Sequence, residues 1–251
     1  MLSDRQIVEL FHLQLVRLLC AGPDKSRVAI KGGCNLRFFF ESVRYSDAID
    51  FDVAGIPVHA LKEKVGKILG GPALALPLRS RGISIGAVTA PKQTETTQRW
   101  KVGLVAGGAL PLHTRIESSR RPTTEDAVVE VVSTTVLAQY QLMPVLASHY
   151  PLAAALRQKV GALVGRSIVQ ARDIFDLAVL LSRAGGRIDA LRPLRAQIPK
   201  AIERAMDVSY DDFRAQVASY LKPEHLDEYG TRQGWEALQA RVIDALEKAR
   251  P

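Results

Sequence analysis

The segment from residue 28 to residue 53 constrains the fold more than any other part of this chain. Its apolar run 28–30 stops at Gly32 and Gly33, and residues 35–43 contain no helix breaker. This pattern predicts a strand, a turn and a helix in that order. The two glycines then lie at the N-terminus of the helix. Unpaired backbone N–H groups and the absence of a Cβ atom favour the close approach of a phosphate there.

Two acidic residues, Asp50 and Asp52, follow within the apolar run 48–53. In a strand, the period of two puts both carboxylates on one face and the apolar side chains on the other. Mg²⁺ prefers oxygen ligands and often binds one or two protein carboxylates together with substrate phosphates. A pair of metal ions about 3.5–4 Å apart can serve both the attacking and the leaving oxygen. The sequence therefore predicts that Asp50 and Asp52 bind Mg²⁺ beside a phosphate-binding turn.

The excess of basic residues favours a polyanionic partner. The chain has 34 Lys and Arg against 26 Asp and Glu, a net charge of +8. Cations that neutralise phosphates release counterions and so gain affinity. A generally basic surface without such a partner is the alternative. The basic helical series at 192, 195, 200 and 204 is open to the same two interpretations, an RNA contact or a solvated face.

Cysteine, histidine and hydropathy patterns exclude several classes of protein. With only Cys20 and Cys34, we expect no disulfide framework or Cys-rich zinc site, and the five histidines lack metal-ligand spacing. No apolar run approaches the ~20 residues of a membrane span. Asp4 and Arg5 do not fit a signal peptide. We therefore expect a cytoplasmic protein that does not associate with membranes.

A change of pattern near residue 135 predicts two lobes. Short β-prone runs precede it, at 83–88, 100–105, 112–116 and 128–132. Helical spacing of apolar residues follows it, at 152–164, 172–183, 188–206, 210–221 and 234–248. We expect an α+β protein with a mixed α/β catalytic lobe at 1–135, a helical lobe at 136–251, and the active cleft between them.

Four stretches carry motifs in a distinctive order: KGGCNLR at 31–37, RYSDAIDFD at 44–52, QKVGAL at 158–163 and RDIFDL at 172–177. Together they resemble the two signatures of the AbiEii/AbiGii toxin family of nucleotidyltransferases, which includes the MenT-type toxins. Two positions depart from the family pattern. Cys34 stands where Thr is usual, and Ala48 stands where an acidic residue commonly precedes the Asp-x-Asp pair.

The resemblance implies a nucleotidyltransferase-like fold and a Mg²⁺-dependent enzyme. Such an enzyme moves NMP from an NTP to a hydroxyl group and releases pyrophosphate. The family implies the tRNA 3′ end as acceptor, a block of translation, and an antitoxin encoded nearby, in a type IV toxin-antitoxin or phage-defence pair. Other RNA and a protein hydroxyl are alternative acceptors. Because Ala48 removes a carboxylate, the alternative function is a catalytically weakened regulatory module that binds nucleic acid. A kinase-like use of the fold has no positive sequence support.

The resemblance also assigns residues of the second signature. Lys159 is expected to bind a triphosphate oxygen, because its ammonium is a compact charge. Asp173 is expected to orient Lys159 or to contact the nucleotide, whereas Asp176 is expected to fix the packing of its helix. Arg157 and Arg166 are secondary candidates for phosphate or RNA contacts.

Further candidates lie close to the predicted metal pair or on neighbouring strands. Arg44 and Ser46 come just before the pair and are expected to contact the triphosphate. Glu117 follows Ile116 at the end of a predicted strand, where the family has an acidic residue. We expect it to act as a general base or a further metal ligand, with Glu130 as the competing candidate.

Overall fold

The computed structural model describes residues 2–108 and 110–250 of the 251-residue chain. The chain divides into two compact units. The first consists of Met1–Phe39 and Tyr45–Tyr150, and the second of Phe40–Arg44 and Pro151–Pro251. The short segment Phe40–Arg44 thus belongs to the second unit although its neighbours on both sides belong to the first.

The first unit is built on a seven-stranded mixed sheet. Its strands in chain order are β1 Val28–Lys31, β2 Ala48–Val53, β3 Ser84–Gln93, β4 Thr97–Val105, β5 Leu112–Ser119, β6 Val128–Val131 and β7 Leu146–His149. Across the sheet the order is β3-β4-β5-β2-β1-β7-β6. Strand β2 pairs antiparallel with β1 and parallel with β5, so it lies near the centre of the sheet with a neighbour on each side.

Helices of the first unit form one apolar core with the sheet. They are α1 Asp4–Leu19, α2 Gly32–Phe39, α3 Val58–Gly70, α4 Pro72–Arg79 and α5 Thr134–Gln139, and a 3₁₀ helix covers Gly22–Arg27. Helix α1 begins at a capping box, in which Ser3 and Gln6 exchange side-chain and backbone hydrogen bonds. Phe11 of α1 and Phe51 of β2 are among the fully buried side chains of this core. The core thus holds β2 by its apolar face.

The second unit is helical. Its helices are α6 Leu152–Gly165, α7 Ala171–Ala184, α8 Ile198–Met206, α9 Tyr210–Gln216, α10 Pro223–Tyr229 and α11 Arg232–Glu247, with 3₁₀ helices at Asp189–Gln197 and Ala218–Tyr220. Three buried aromatic rings from different helices lie together. The ring centroids of Phe213 and Trp235 are 4.8 Å apart, and those of Phe175 and Phe213 are 6.4 Å apart. Such contacts add to the free energy of burial and hold α7, α9 and α11 together.

Much of the predicted architecture is confirmed: a mixed sheet with helices, followed by helices. The predicted order of strand, glycine turn and helix is also found, with α2 beginning at Gly32. The division between units, however, follows Tyr150 rather than residue 135. The reason is β7, a strand that the sequence pattern missed, which pairs with β1 and β6 and so extends the first unit.

Helix boundaries in the second unit also differ from the prediction. The helix predicted at 188–206 is a 3₁₀ helix followed by α8, because Pro193 lies inside the former and Pro199 in the first turn of the latter. Proline lacks the N–H that continues a helix and is tolerated in a first turn. Within residues 2–108 and 110–250, no helix is long and apolar enough to span a membrane.

Candidate active site

Asp50 and Asp52 lie on one face of β2, as the period of two predicts. Their side chains are half-buried, whereas Ile49, Phe51 and Val53 are buried on the opposite side. The apolar residues anchor the strand to the core, and this anchoring fixes the direction in which both carboxylates project.

Gly32 brings the start of α2 against this pair. Its backbone has φ +65°, and a Cβ atom at this position would lie 2.9 Å from Oδ2 of Asp50. Only glycine adopts this conformation and leaves this space without strain. The start of α2 therefore lies next to the carboxylate of Asp50.

Two groups that the sequence analysis did not single out hold Asp52. Lys31 Nζ lies 2.5 Å from Oδ1, and the Tyr150 hydroxyl donates to Oδ2 at 2.8 Å. Burial, together with the hydrogen bond and charge of Asp52, raises the pKa of Tyr150, so the phenol remains a donor. Lys31 comes from β1 and was visible only as part of the glycine motif. Tyr150 follows β7, and no local sequence signal links it to Asp52.

The arrangement suits a hard divalent cation. Two carboxylates share one face, and Lys31 and Tyr150 fix the orientation of one of them. In the described part of the chain, no group of three or more His, Cys, Asp or Glu residues lies together as a metal site. A cation bound by Asp50 and Asp52 would thus take its other ligands from substrate phosphates and water, as Mg²⁺ commonly does.

The two candidates for a third carboxylate lie in different places. Glu117 of β5 is the register partner of Asp50, so it shares the face of the acidic pair. Arg99 of β4 binds it, with Nη2 3.1 Å from Oε2. Glu130 lies on β6, which β1 and β7 separate from β2, and faces His149 Nε2 at 3.2 Å. The fold therefore brings Glu117, and not Glu130, beside the pair.

The residues that precede the acidic pair make internal contacts. Ser46 Oγ donates to the backbone oxygen of Ala48 at 2.8 Å, at the start of β2. Arg44 is buried, and its Nη2 lies 3.0 and 2.9 Å from the two carboxylate oxygens of Asp176. The structure thus gives Arg44 a buried protein partner, and the triphosphate contact of Arg44 stays a prediction.

Lys159 of α6 lies between two buried aspartates of α7. Its Nζ is 3.2 Å from Oδ1 of Asp173 and 2.6 Å from Oδ2 of Asp176. Burial alone would raise the pKa of Asp176, but the charges of Arg44 and Lys159 outweigh burial and lower that pKa. Asp173 contacts Lys159 as expected. Asp176 does more than fix the helix, because it links Lys159 to Arg44.

The secondary basic candidates of the second unit differ from each other. Arg166 Nε lies 2.7 Å from Oδ2 of Asp173, close enough for an ion pair but without hydrogen-bond alignment. Arg157 donates to the backbone oxygen of Ala190 at 3.2 Å, which is a packing contact. Arg166, which is partly exposed, therefore contacts the buried charge cluster of α6 and α7 through Asp173.

A family model matches this chain in sequence, and solved structures share its fold. The model of a family described as nucleotidyl transferase AbiEii toxin, type IV TA system, matches residues 14–250. A crystal structure of a putative nucleotidyltransferase from H. pylori is 18% identical, with 100% of both chains covered and a TM-score of 0.65. JHP933 from Helicobacter pylori is also 18% identical, with 99% of this chain and 96% of that chain covered and a TM-score of 0.59. No curated protein matches the chain.

A third solved structure is a toxin. MenT4, a nucleotidyltransferase toxin from Mycobacterium tuberculosis H37Rv, is 20% identical, with 97% of this chain and 84% of that chain covered and a TM-score of 0.64. At these identities the three structures show the fold that the chain shares. Because the family model matches from residue 14 to residue 250, this chain belongs to the AbiEii family of nucleotidyltransferase toxins of type IV toxin-antitoxin systems.

Proposed function

We propose that this protein transfers NMP from an NTP to the 3′ end of tRNA in the cytoplasm and thereby blocks translation. The observation that carries the proposal is the placement of Asp50 and Asp52 on one face of β2, with the N-terminus of α2 beside Asp50. Carboxylates for a cation and backbone N–H groups for a phosphate are the two parts that such a transfer needs.

Each residue of the first unit has a distinct part in this proposal. Asp50 and Asp52 would hold Mg²⁺, and the ion would supply positive charge to the transferred phosphoryl group and the leaving pyrophosphate. Gly32 gives a phosphate access to the start of α2. Lys31 and Tyr150 keep Asp52 in one orientation. Glu117 is the third acidic group, with the role of a general base toward the attacking hydroxyl or of a further metal ligand.

Lys159 supplies positive charge to the triphosphate, as the family resemblance implies. Asp173 and Asp176 hold its ammonium within the buried cluster of α6 and α7. The net charge of +8 supports an RNA acceptor. Membership of a type IV toxin family supports an antitoxin that counters the activity.

The test is to incubate the protein with each labelled NTP, Mg²⁺ and total RNA, and to identify the RNA that becomes labelled. We expect label in tRNA with the wild type. Asp50→Asn should lower incorporation by on the order of a hundredfold or more, because it removes a charge that acts in the transition state. Thermal unfolding of both proteins checks that the variant folds. Incorporation that persists in folded Asp50→Asn would rule out the assignment.

One observation favours a second function, in which a catalytically weakened protein binds nucleic acid as a regulatory module. Ala48, where an acidic residue is usual, pairs in register with Arg115 of β5. Arg115 therefore has no carboxylate directly opposite it on β2. RNA binding without incorporation from any NTP would support this second function and contradict the first.

A further inference from the structure

The part of the sheet formed by β3, β4 and β5 has an open face. Trp100 of β4 and Ile116 of β5 are buried on the core side. Lys101 and Arg115 point the opposite way and are exposed. They are register partners in the antiparallel pair, so the two cations lie directly opposite each other. Like charges in this position destabilise a sheet.

A second pair of like charges lies beside the first. Lys92 of β3 is the register partner of Arg99 of β4. Arg99 is paired with Glu117, at 3.0 Å between Nε and Oε1. Lys92, Lys101 and Arg115 have no ion-pair partner among residues 2–108 and 110–250. We name these three residues the open cationic face.

The open cationic face continues the face that carries the acidic pair. In the pairing of β2 with β5, Arg115 lies opposite Ala48 and Glu117 lies opposite Asp50. Arg115 is therefore only two residues along β5 from the partner of Asp50. From β5 to β3 the cations extend over two strand spacings, roughly 10 Å. They thus lead away from the acidic pair along one side of the sheet.

Composition indicates which part of a nucleic acid this face recognises. The single Phe, Tyr or Trp residue in β3, β4 and β5 is Trp100, which is buried. Bases are usually bound by stacking on exposed aromatic rings. Lys and Arg side chains, in contrast, bind phosphates without regard to sequence. The open cationic face therefore has the chemistry for a sugar-phosphate backbone.

We propose that the open cationic face binds the backbone of the RNA acceptor and directs its 3′ end toward Asp50 and Asp52. This inference rests on the proposed function, because it concerns the acceptor of that reaction. Bound phosphates compensate the repulsion between Lys101 and Arg115, which no carboxylate of the described chain relieves. The contacts are to phosphates, so affinity depends on salt concentration and little on base sequence.

The test uses Lys92→Gln, Lys101→Gln and Arg115→Gln in one protein. Its control is Arg195→Gln, Lys200→Gln and Arg204→Gln, which removes the same charge from the second unit. We expect the first variant to bind tRNA at least tenfold more weakly and the control less than threefold. The slope of log affinity against log salt should fall by about 2 for three lost single-strand contacts. The KM for NTP should be unchanged.

Melting temperature provides an independent check on folding, and it should be unchanged or raised because the variant relieves a repulsion. Wild-type protein that binds tRNA through this face but labels no RNA would reject the proposed function and leave the binding inference standing. Equal tRNA affinity of wild type and triple variant would overturn the inference. So would an equal loss in the control, or a raised KM for NTP with unchanged RNA affinity.

Discussion

Two side chains orient Asp52: Lys31, at the end of β1, and Tyr150, which follows β7. Lys31 contributes a charge and Tyr150 contributes a hydroxyl donor, one on each carboxylate oxygen. A carboxylate with both oxygens engaged loses rotational freedom before any ligand arrives. The orientation of the Asp52 carboxylate therefore depends on two residues that do not themselves need to touch the substrate.

Tyr150→Phe tests this dependence. The variant removes the hydroxyl that donates to Asp52, and a hydrogen bond to a charged group contributes ~1.5–3 kcal/mol. The lower end of this range corresponds to about a tenfold fall in kcat/KM for nucleotidyl transfer, and we expect a fall of at least that size. Tyr140→Phe is the matched control, because its hydroxyl donates to Glu9 in the core at 2.6 Å. The control should lose stability but keep its activity per folded molecule. Equal activity of Tyr150→Phe and wild type would contradict the role.

At the residue scale, local periodicity predicted Asp50 and Asp52 but could not find Tyr150. The carboxylates lie in one strand, where the period of two is a property of adjacent residues. The hydrogen bond from Tyr150 joins residues 98 positions apart, and it exists only because β7 and β2 both flank β1. Local periodicity could not find the buried partner of Arg44 either, because Asp176 follows 132 residues later.

The junction of β1 and α2 is the element on which the site depends most. Gly32 turns the chain from the strand into the helix with a positive φ, against the carboxylate of Asp50. Neither the turn nor the close approach tolerates a side chain. Gly32 therefore meets two requirements at once. The turn needs a residue with positive φ, and the carboxylate of Asp50 needs the space that a Cβ atom would fill.

Gly32→Ala should damage both stability and activity. A non-glycine residue at positive φ costs ~1 kcal/mol or more, and the new Cβ would also displace Asp50. Urea unfolding and initial transfer rates measure the two effects. Gly66→Ala is the control, because Gly66 lies within α3 and a methyl group added there would have no neighbouring heavy atom within 4 Å. There alanine should stabilise by up to ~1 kcal/mol and leave activity unchanged. Wild-type activity in Gly32→Ala would refute the proposed contact.

At the element scale, the sequence analysis predicted most strands and most helices of the second unit, but it named neither α1 nor α3 and missed β7. Strands β1 and β2 follow simple apolar patterns and were found. Strand β7 has four residues and gains its stability from pairing with β1 and β6, which no local pattern records. The proline at position 193 explains why a predicted long helix became a 3₁₀ helix and a short α-helix.

Acid stability of the whole molecule should depend on His12. The ring is fully buried, and burial lowers its pKa from 6.5 to about 3. Its Nε2 lies 2.7 Å from Thr114 Oγ1, whose own proton goes to the backbone oxygen of Asp47. A neutral ring with the proton on Nε2 satisfies this arrangement, and a second proton has no strong acceptor.

The sign of the pH effect follows from these pKa values. Between pH 6.5 and about 3 the unfolded chain binds a proton on His12 that the folded chain does not. Stability is therefore complete above pH 6.5 and decreases as pH falls, by about 1.4 kcal/mol per unit. Urea unfolding at several pH values measures this slope. His12→Gln, which keeps a donor for Thr114, should flatten it. An unchanged slope in the variant would show that other groups cause the acid sensitivity.

The segment Phe40–Arg44 has a consequence for how the protein is made. It emerges from the ribosome early, with the acidic strand β2, yet it belongs to a unit whose helices are synthesised last. Chains generally fold from the N-terminus as they are produced. The pair of Arg44 and Asp176 therefore forms only after α7 has been synthesised. The packing of α7 against α11 in turn requires the synthesis of α11. A nascent chain therefore carries the acidic pair of β2 before the helical unit that contains Arg44 is complete.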